Sequence, residues 1–259
     1  MDMPDFLPTF LPGDLTLWQA IIVILVSLIG AAMTAATSIG GGLLLVAIMS
    51  AFFPPAAVIP VHAVIMIGSN AGRSVLLLNY VNWRIWGWFV VGLVAGALVG
   101  SQVVFSLPAE ALRLAIAAFI LFTQWGPKIG SFVSGEGRKG SIVYIVTGAI
   151  STFLTLFVGA TGPFMTAVLS KDRLTRQEIV ATAGVSMTFQ HTVKVFIFGF
   201  GGFLFAPWLP FIGLCVLAGF IGSFIGTRVL HTIDEALYRS LLKWILTGIA
   251  AYLVLLVLF

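Results

Sequence analysis

Charge is scarce in this sequence: Asp, Glu, Lys and Arg together make up 8% of its 259 residues. With 60% of residues hydrophobic and a mean hydropathy of +1.13, no water-soluble surface can be assembled, which excludes a soluble globular domain. Carboxylates are scarcer still, and none falls in the interior of a long apolar run. That removes paired carboxylates as an acid and base couple inside those runs. The motifs H-E-x-x-H, Gly-x-Ser-x-Gly and the P-loop are also missing, which argues against an enzyme and against ATP-driven transport by this chain alone. The single cysteine, Cys215, sits within an apolar run, so neither a disulfide framework nor a thiolate metal cluster is available, and no cofactor is expected. Residues Met1 to Asp14 hold three acids and no base. They lack the basic region of a signal peptide, so the first helix is expected to stay in the mature protein.

The apolar runs that are present are continuous rather than alternating. They suit helices of about 20 residues crossing a hydrocarbon core about 30 Å thick. The expected fold class is an all-α polytopic membrane protein embedded in a lipid bilayer. A pI near 9.5 would suggest nucleic acid in a soluble chain. Here the bases sit in short loops, where they orient helices, and no nucleic-acid partner is expected.

Gly, Pro and charge mark the segment boundaries. A first helix over about Thr16 to Thr37 stops at Ser38-Ile39-Gly40-Gly41-Gly42, and a short apolar piece reaches Phe53 before Pro54-Pro55. Helices over about Ala56 to Tyr80, Arg84 to Phe105 and Ala109 to Trp125 follow. The second half repeats this grammar: a helix from about Ile142 to Val158 breaks at Gly159-Ala160-Thr161-Gly162, a short piece starts at Pro163, and helices follow near Glu178 to Phe200, Pro207 to Leu230 and Glu235 to Phe259. The correspondence reaches side chains. Val64, Met66, Asn70 and Arg73 match Val185, Met187, His191 and Lys194, and Gly92, Gly96 and Gly100 match Ala218, Gly222 and Gly226. Two transmembrane repeats are expected, residues 1–126 and 141–259, joined by a cytoplasmic linker, 127–140.

If each short piece counts as a pass, each repeat has five segments and the second is inverted. Both termini are then external, and the cytoplasmic loops receive Arg84, Lys128, Arg138, Lys139, Lys171, Arg173, Arg176, Arg228, Arg239 and Lys243, leaving Arg113 outside. The positive-inside rule favours this arrangement over one with non-crossing short pieces.

One broken segment per inverted repeat points to a transporter site near the bilayer midplane. A half-helix beginning inside the membrane presents unpaired N–H groups and the positive end of its dipole, which binds anions. The candidate substrate-binding residues are therefore Ser38, Gly40, Gly41 and Gly42 at the first break and Gly159, Thr161 and Gly162 at the second. Arg73 and Lys194 join them as lone intramembrane cations, with Asn70, Gln190 and His191 one turn before them. The competing readings are close helix packing for the glycines and snorkelling to the interface for the cations. His191 can couple a proton to anion movement or simply bond between helices. The Gly92, Gly96, Gly100 and Gly222, Gly226 stripes suit packing between the halves, or a homodimer face.

The Gly40-Gly41-Gly42 break, its counterpart from Gly159 to Pro163, the repeated helix with a small-residue stripe and the Asn82-Trp83 step together resemble the sulfite exporter TauE/SafE family over nearly the whole chain. The resemblance implies a bacterial inner-membrane exporter of a small sulfur-containing anion, sulfite or a sulfonate such as sulfoacetate. The second break departs from the full glycine triplet. Alternating access is the expected mode; an anion channel using the same donors, or a carrier of another small organic anion, is the alternative.

Overall fold

The computed structural model describes residues 11–12, 15–37, 40–127, 140–229 and 235–258. Those residues form helices α1 (Leu17–Thr37), α2 (Gly41–Phe52), α3 (Pro55–Leu76), α4 (Trp83–Val104), α5 (Ala109–Trp125), α6 (Ser141–Val158), α7 (Gly162–Leu169), α8 (Arg176–Phe200), α9 (Leu209–Val229) and α10 (Glu235–Leu258), with no strand among them. Six of the helices are long and apolar enough to cross a membrane, and α2 is a shorter apolar helix. Outward-facing apolar side chains recur at helical spacing, as in Leu17, Ile21, Leu25 and Ile29 of α1. Such a row suits lipid and not water.

The punctuation residues act as expected, with small shifts. α2 starts at Gly41, after Gly40 turns the chain with φ of 101°. That φ lies in the region glycine enters without strain. α6 stops at Gly159, whose φ is 81°, and Pro163 occupies the first turn of α7, where its missing N–H costs nothing. α7 is the shortest helix, with 8 residues. α3 ends at Leu76, and Leu78–Tyr80 form a separate 3-10 turn in place of the expected last helical turn. The 127–140 linker lies largely outside the described residues.

Close packing joins residues of one half to residues of the other. On α4, a Cβ at Gly92 or Gly96 would lie 1.8 Å from the Ile145 carbonyl or 2.2 Å from the Ala149 carbonyl of α6. On α9, one at Gly222 or Gly226 would lie 1.9 Å from the Leu28 carbonyl or 2.1 Å from the Ala32 carbonyl of α1. Both stripes thus let backbones meet directly inside the molecule. Each pair runs parallel, since contacted residue numbers rise together. α3 and α8 cross the opposite way. Pro55 and Ile59 share a cleft with Phe198, His62 meets His191, and the Asn82 N–H donates to Thr182 Oγ1 at 2.9 Å. Trp208, just before α9, is 9% exposed, and its ring lies tilted against that of Phe53 with centroids 5.2 Å apart.

Candidate functional site

The starts of α2 and α7 meet across the core. Between them lies a cavity of about 50 Å³ lined by Gly40, Gly42, Asn70, Gly162, Pro163 and His191, with Thr34, Thr166, Met66 and Met187 among the remaining walls. Met66 and Met187, and Asn70 and His191, are pairs that the sequence comparison of the two halves matches. Each broken helix therefore points its N-terminal turn, with its partial positive charge, at one shared space.

The glycines of the breaks divide by role. Gly162 has open space where a Cβ would go, and Gly42 faces the flexible end of Met66. Gly41 is turned away: a Cβ there would lie 1.9 Å from the Gly30 carbonyl of α1, and its N–H donates to Thr34 Oγ1 at 3.2 Å. Its smallness seats α2 on α1. The expectation for Ser38 and any account of the Arg73 side chain lie outside the described residues; the Arg73 backbone belongs to α3.

Thr161, Gln190 and Lys194 form a brace behind the second break. Thr161 Oγ1 donates to Gln190 Oε1 at 3.2 Å, and Gln190 Nε2 donates to Thr152 Oγ1 at 2.9 Å and Ser151 Oγ at 3.2 Å. Lys194 is fully buried, and its ammonium donates to the Gly159 carbonyl at 2.8 Å and Thr155 Oγ1 at 3.2 Å. A cation there meets the negative end of α6. Lys194 is thus neither snorkelling nor part of the cavity wall. Asn70, by contrast, lines the cavity while its Nδ2 donates to the Met66 carbonyl at 2.9 Å.

His62 belongs to this region as well. It is fully buried, its Nε2 lies 3.0 Å from the Gly42 carbonyl, and its ring contacts that of His191 with centroids 5.7 Å apart. The signal available was the helical face it shares with Asn70 and Arg73.

A second space, of about 440 Å³, opens at the starts of α4, α6 and α8, lined by Arg84, Arg173, Tyr144, Asp172 and Glu178. Its acids are engaged locally. Tyr144 donates to Asp172, and Glu178 closes a capping box with Thr175 at the start of α8.

No curated protein and no solved structure was found to match the chain. A family model does match, that of Sulfite exporter TauE/SafE, over residues 22–253. With its spanning helices and two broken segments, the chain is a multi-pass membrane protein that belongs to the sulfite exporter TauE/SafE family of transporters.

Proposed function

We propose that this chain is a secondary transporter that exports a small sulfur-containing anion, sulfite or a sulfonate, across the bacterial inner membrane by alternating access. The observation that carries this reading is the convergence of repeat-equivalent residues, Met66 with Met187 and Asn70 with His191, on one cavity between two half-helix starts. The antiparallel crossing of α3 with α8 supports an inverted relation between the halves, with both termini periplasmic. The parallel glycine contacts are compatible with it. In this scheme the amides at Gly42 and Gly162 and the side chains of Asn70 and His191 hold the anion. Gly40 shapes the first break, and Gly41 anchors it. Thr161, Gln190, Lys194 and Gly159 hold the second break in place, and Arg73, three residues after Asn70 in α3, remains the further candidate.

Size favours the smaller anion. The cavity is small, about 50 Å³, and walled closely by Met66 and Met187. A longer sulfonate needs the walls to move.

The test is exchange in vesicles reconstituted with the purified chain. Efflux of labelled sulfite should saturate and should accelerate when unlabelled sulfite is present on the far side. A steady conductance that follows voltage, with no acceleration, would assign the chain to the channel class instead.

A further inference from the structure

The core between the two broken helices is basic. His62 on α3 and His191 and Lys194 on α8 are each at most 3% exposed, and no carboxylate lines the cavity. The Lys194 ammonium is committed to the Gly159 carbonyl and Thr155. The histidines are not so fully engaged. A carbonyl can only accept, so the contact of His62 with the Gly42 carbonyl places the proton of the neutral ring on Nε2 and leaves Nδ1 with a bare lone pair. That Nδ1 is buried without a partner, and so is Nδ1 of His191. Unpartnered buried polar atoms are rare and costly, and here two occur in contacting rings, one from each half. His191 lines the cavity, as does Gly42, the residue that fixes the His62 tautomer.

Few other groups compete for a proton there. α1, α2 and α7 contain no titratable side chain. The remaining elements packed on α3 and α8 bring Tyr80 from the 3-10 turn, Arg84 from α4, Glu110 and Arg113 from α5, Tyr144 from α6, and Cys215 and Arg228 from α9; none of them lines the cavity.

We propose that the His62 and His191 pair takes up one proton together with the anion, so that the transported unit is anion plus proton. The inference rests on the cavity being the anion site. Placing a bare anion in a buried space walled largely by apolar side chains is costly unless a charge accompanies it. The helix starts supply only partial charge, and the Lys194 ammonium, held by the Gly159 carbonyl and Thr155, stands behind the cavity wall and does not reach an anion inside it. A proton from solution adding to an Nδ1 lone pair completes the balance, with no bond made to the anion, and both are released together. In the empty cavity Lys194, one turn from His191, repels such a charge. The pair therefore protonates when the anion arrives, and by reciprocity the proton tightens the anion.

Calorimetric titration of the purified full chain with sulfite, in two buffers of different ionisation enthalpy, counts the protons taken up per anion. Comparing wild type with His191→Gln and His62→Gln at one pH cancels the protonation of sulfite itself. The expected result is about one proton fewer in each variant. Wild-type affinity for methanesulfonate, whose charge is constant over this range, should rise up to about tenfold for each unit fall in pH. Equal proton counts in wild type and both histidine variants overturn the inference, as does loss of the proton in Lys194→Gln with both histidine variants unchanged. If a histidine variant fails to fold or binds too weakly to count, the methanesulfonate series decides, and a flat pH dependence overturns the inference. A wild-type protein that binds neither anion overturns the anion-site reading itself.

Discussion

The Lys194 ammonium and the Gly159 carbonyl lie 2.8 Å apart across the end of α6, so a cation that looks free in the sequence is occupied by backbone. Its place is the point where the chain breaks before α7. Lys194→Met should remove a charged donor from two buried acceptors and lower stability by roughly 1.5 to 3 kcal/mol. Lys194→Gln, which can still donate, should recover part of that. Thermal unfolding in detergent reads the loss. A Lys194→Met protein of unchanged stability would show that this brace does not hold the break.

Gly162 and Gly41 separate binding from packing. Gly162→Ala places a methyl in open space, so stability should hold or rise by up to about 1 kcal/mol, because alanine suits a helix better than glycine. Sulfite binding should fall as the methyl occupies the cavity. Gly41→Ala should do the reverse, forcing α2 off α1 and lowering the yield of folded protein. Thermal unfolding with and without sulfite separates the two, since only a binding ligand raises apparent stability.

Met66 and Met187 are the two methionines in the cavity wall. Met187→Ala or Met66→Ala should widen it and improve binding of sulfonates carrying a carbon tail relative to sulfite. Competition against labelled sulfite measures the ratio. If the ratio stays at its wild-type value in both variants, these side chains do not limit what fits.

Orientation is open to direct labelling. Cys215 is buried, so it can be replaced by Ala before single cysteines are placed at Asp5, Ser134, Thr175 and Phe203. Sites at Asp5 and Phe203 should react with an impermeant thiol reagent on intact cells, and those at Ser134 and Thr175 only after permeabilisation. Opposite faces for Ser134 and Thr175 would remove the inverted arrangement.

Much of the scaffold was readable from punctuation. Gly40 and Gly159 do adopt positive φ, and both small-residue stripes are occupied inside the molecule, because these are demands on the backbone that few residue types can meet. The spacing that matches Asn70 with His191 and Met66 with Met187 was readable, and all four residues line one cavity. What stayed hidden depends on backbone atoms, which every residue has. The carbonyl of Gly159 that holds Lys194 and the carbonyl of Gly42 that fixes His62 leave no mark in composition. Gly41 looks no different from Gly42 in the sequence, yet one meets α1 and the other the cavity, since adjacent helical residues point about 100° apart.

The glycine stripes also bear on how the chain is made. α1 leaves the ribosome well before its glycine-lined partner α9, with α2 to α8 made in between, and α6 likewise docks on α4 across the middle linker. Pairings so distant in sequence close slowly. Until then α1 must sit in lipid, or against the translocation machinery, with the backbone around Leu28 and Ala32 uncovered. Neither half can complete its own interior, so a chain cut within 127–140 and co-expressed as two fragments should yield stable protein only when both are present, each lending the other a helix.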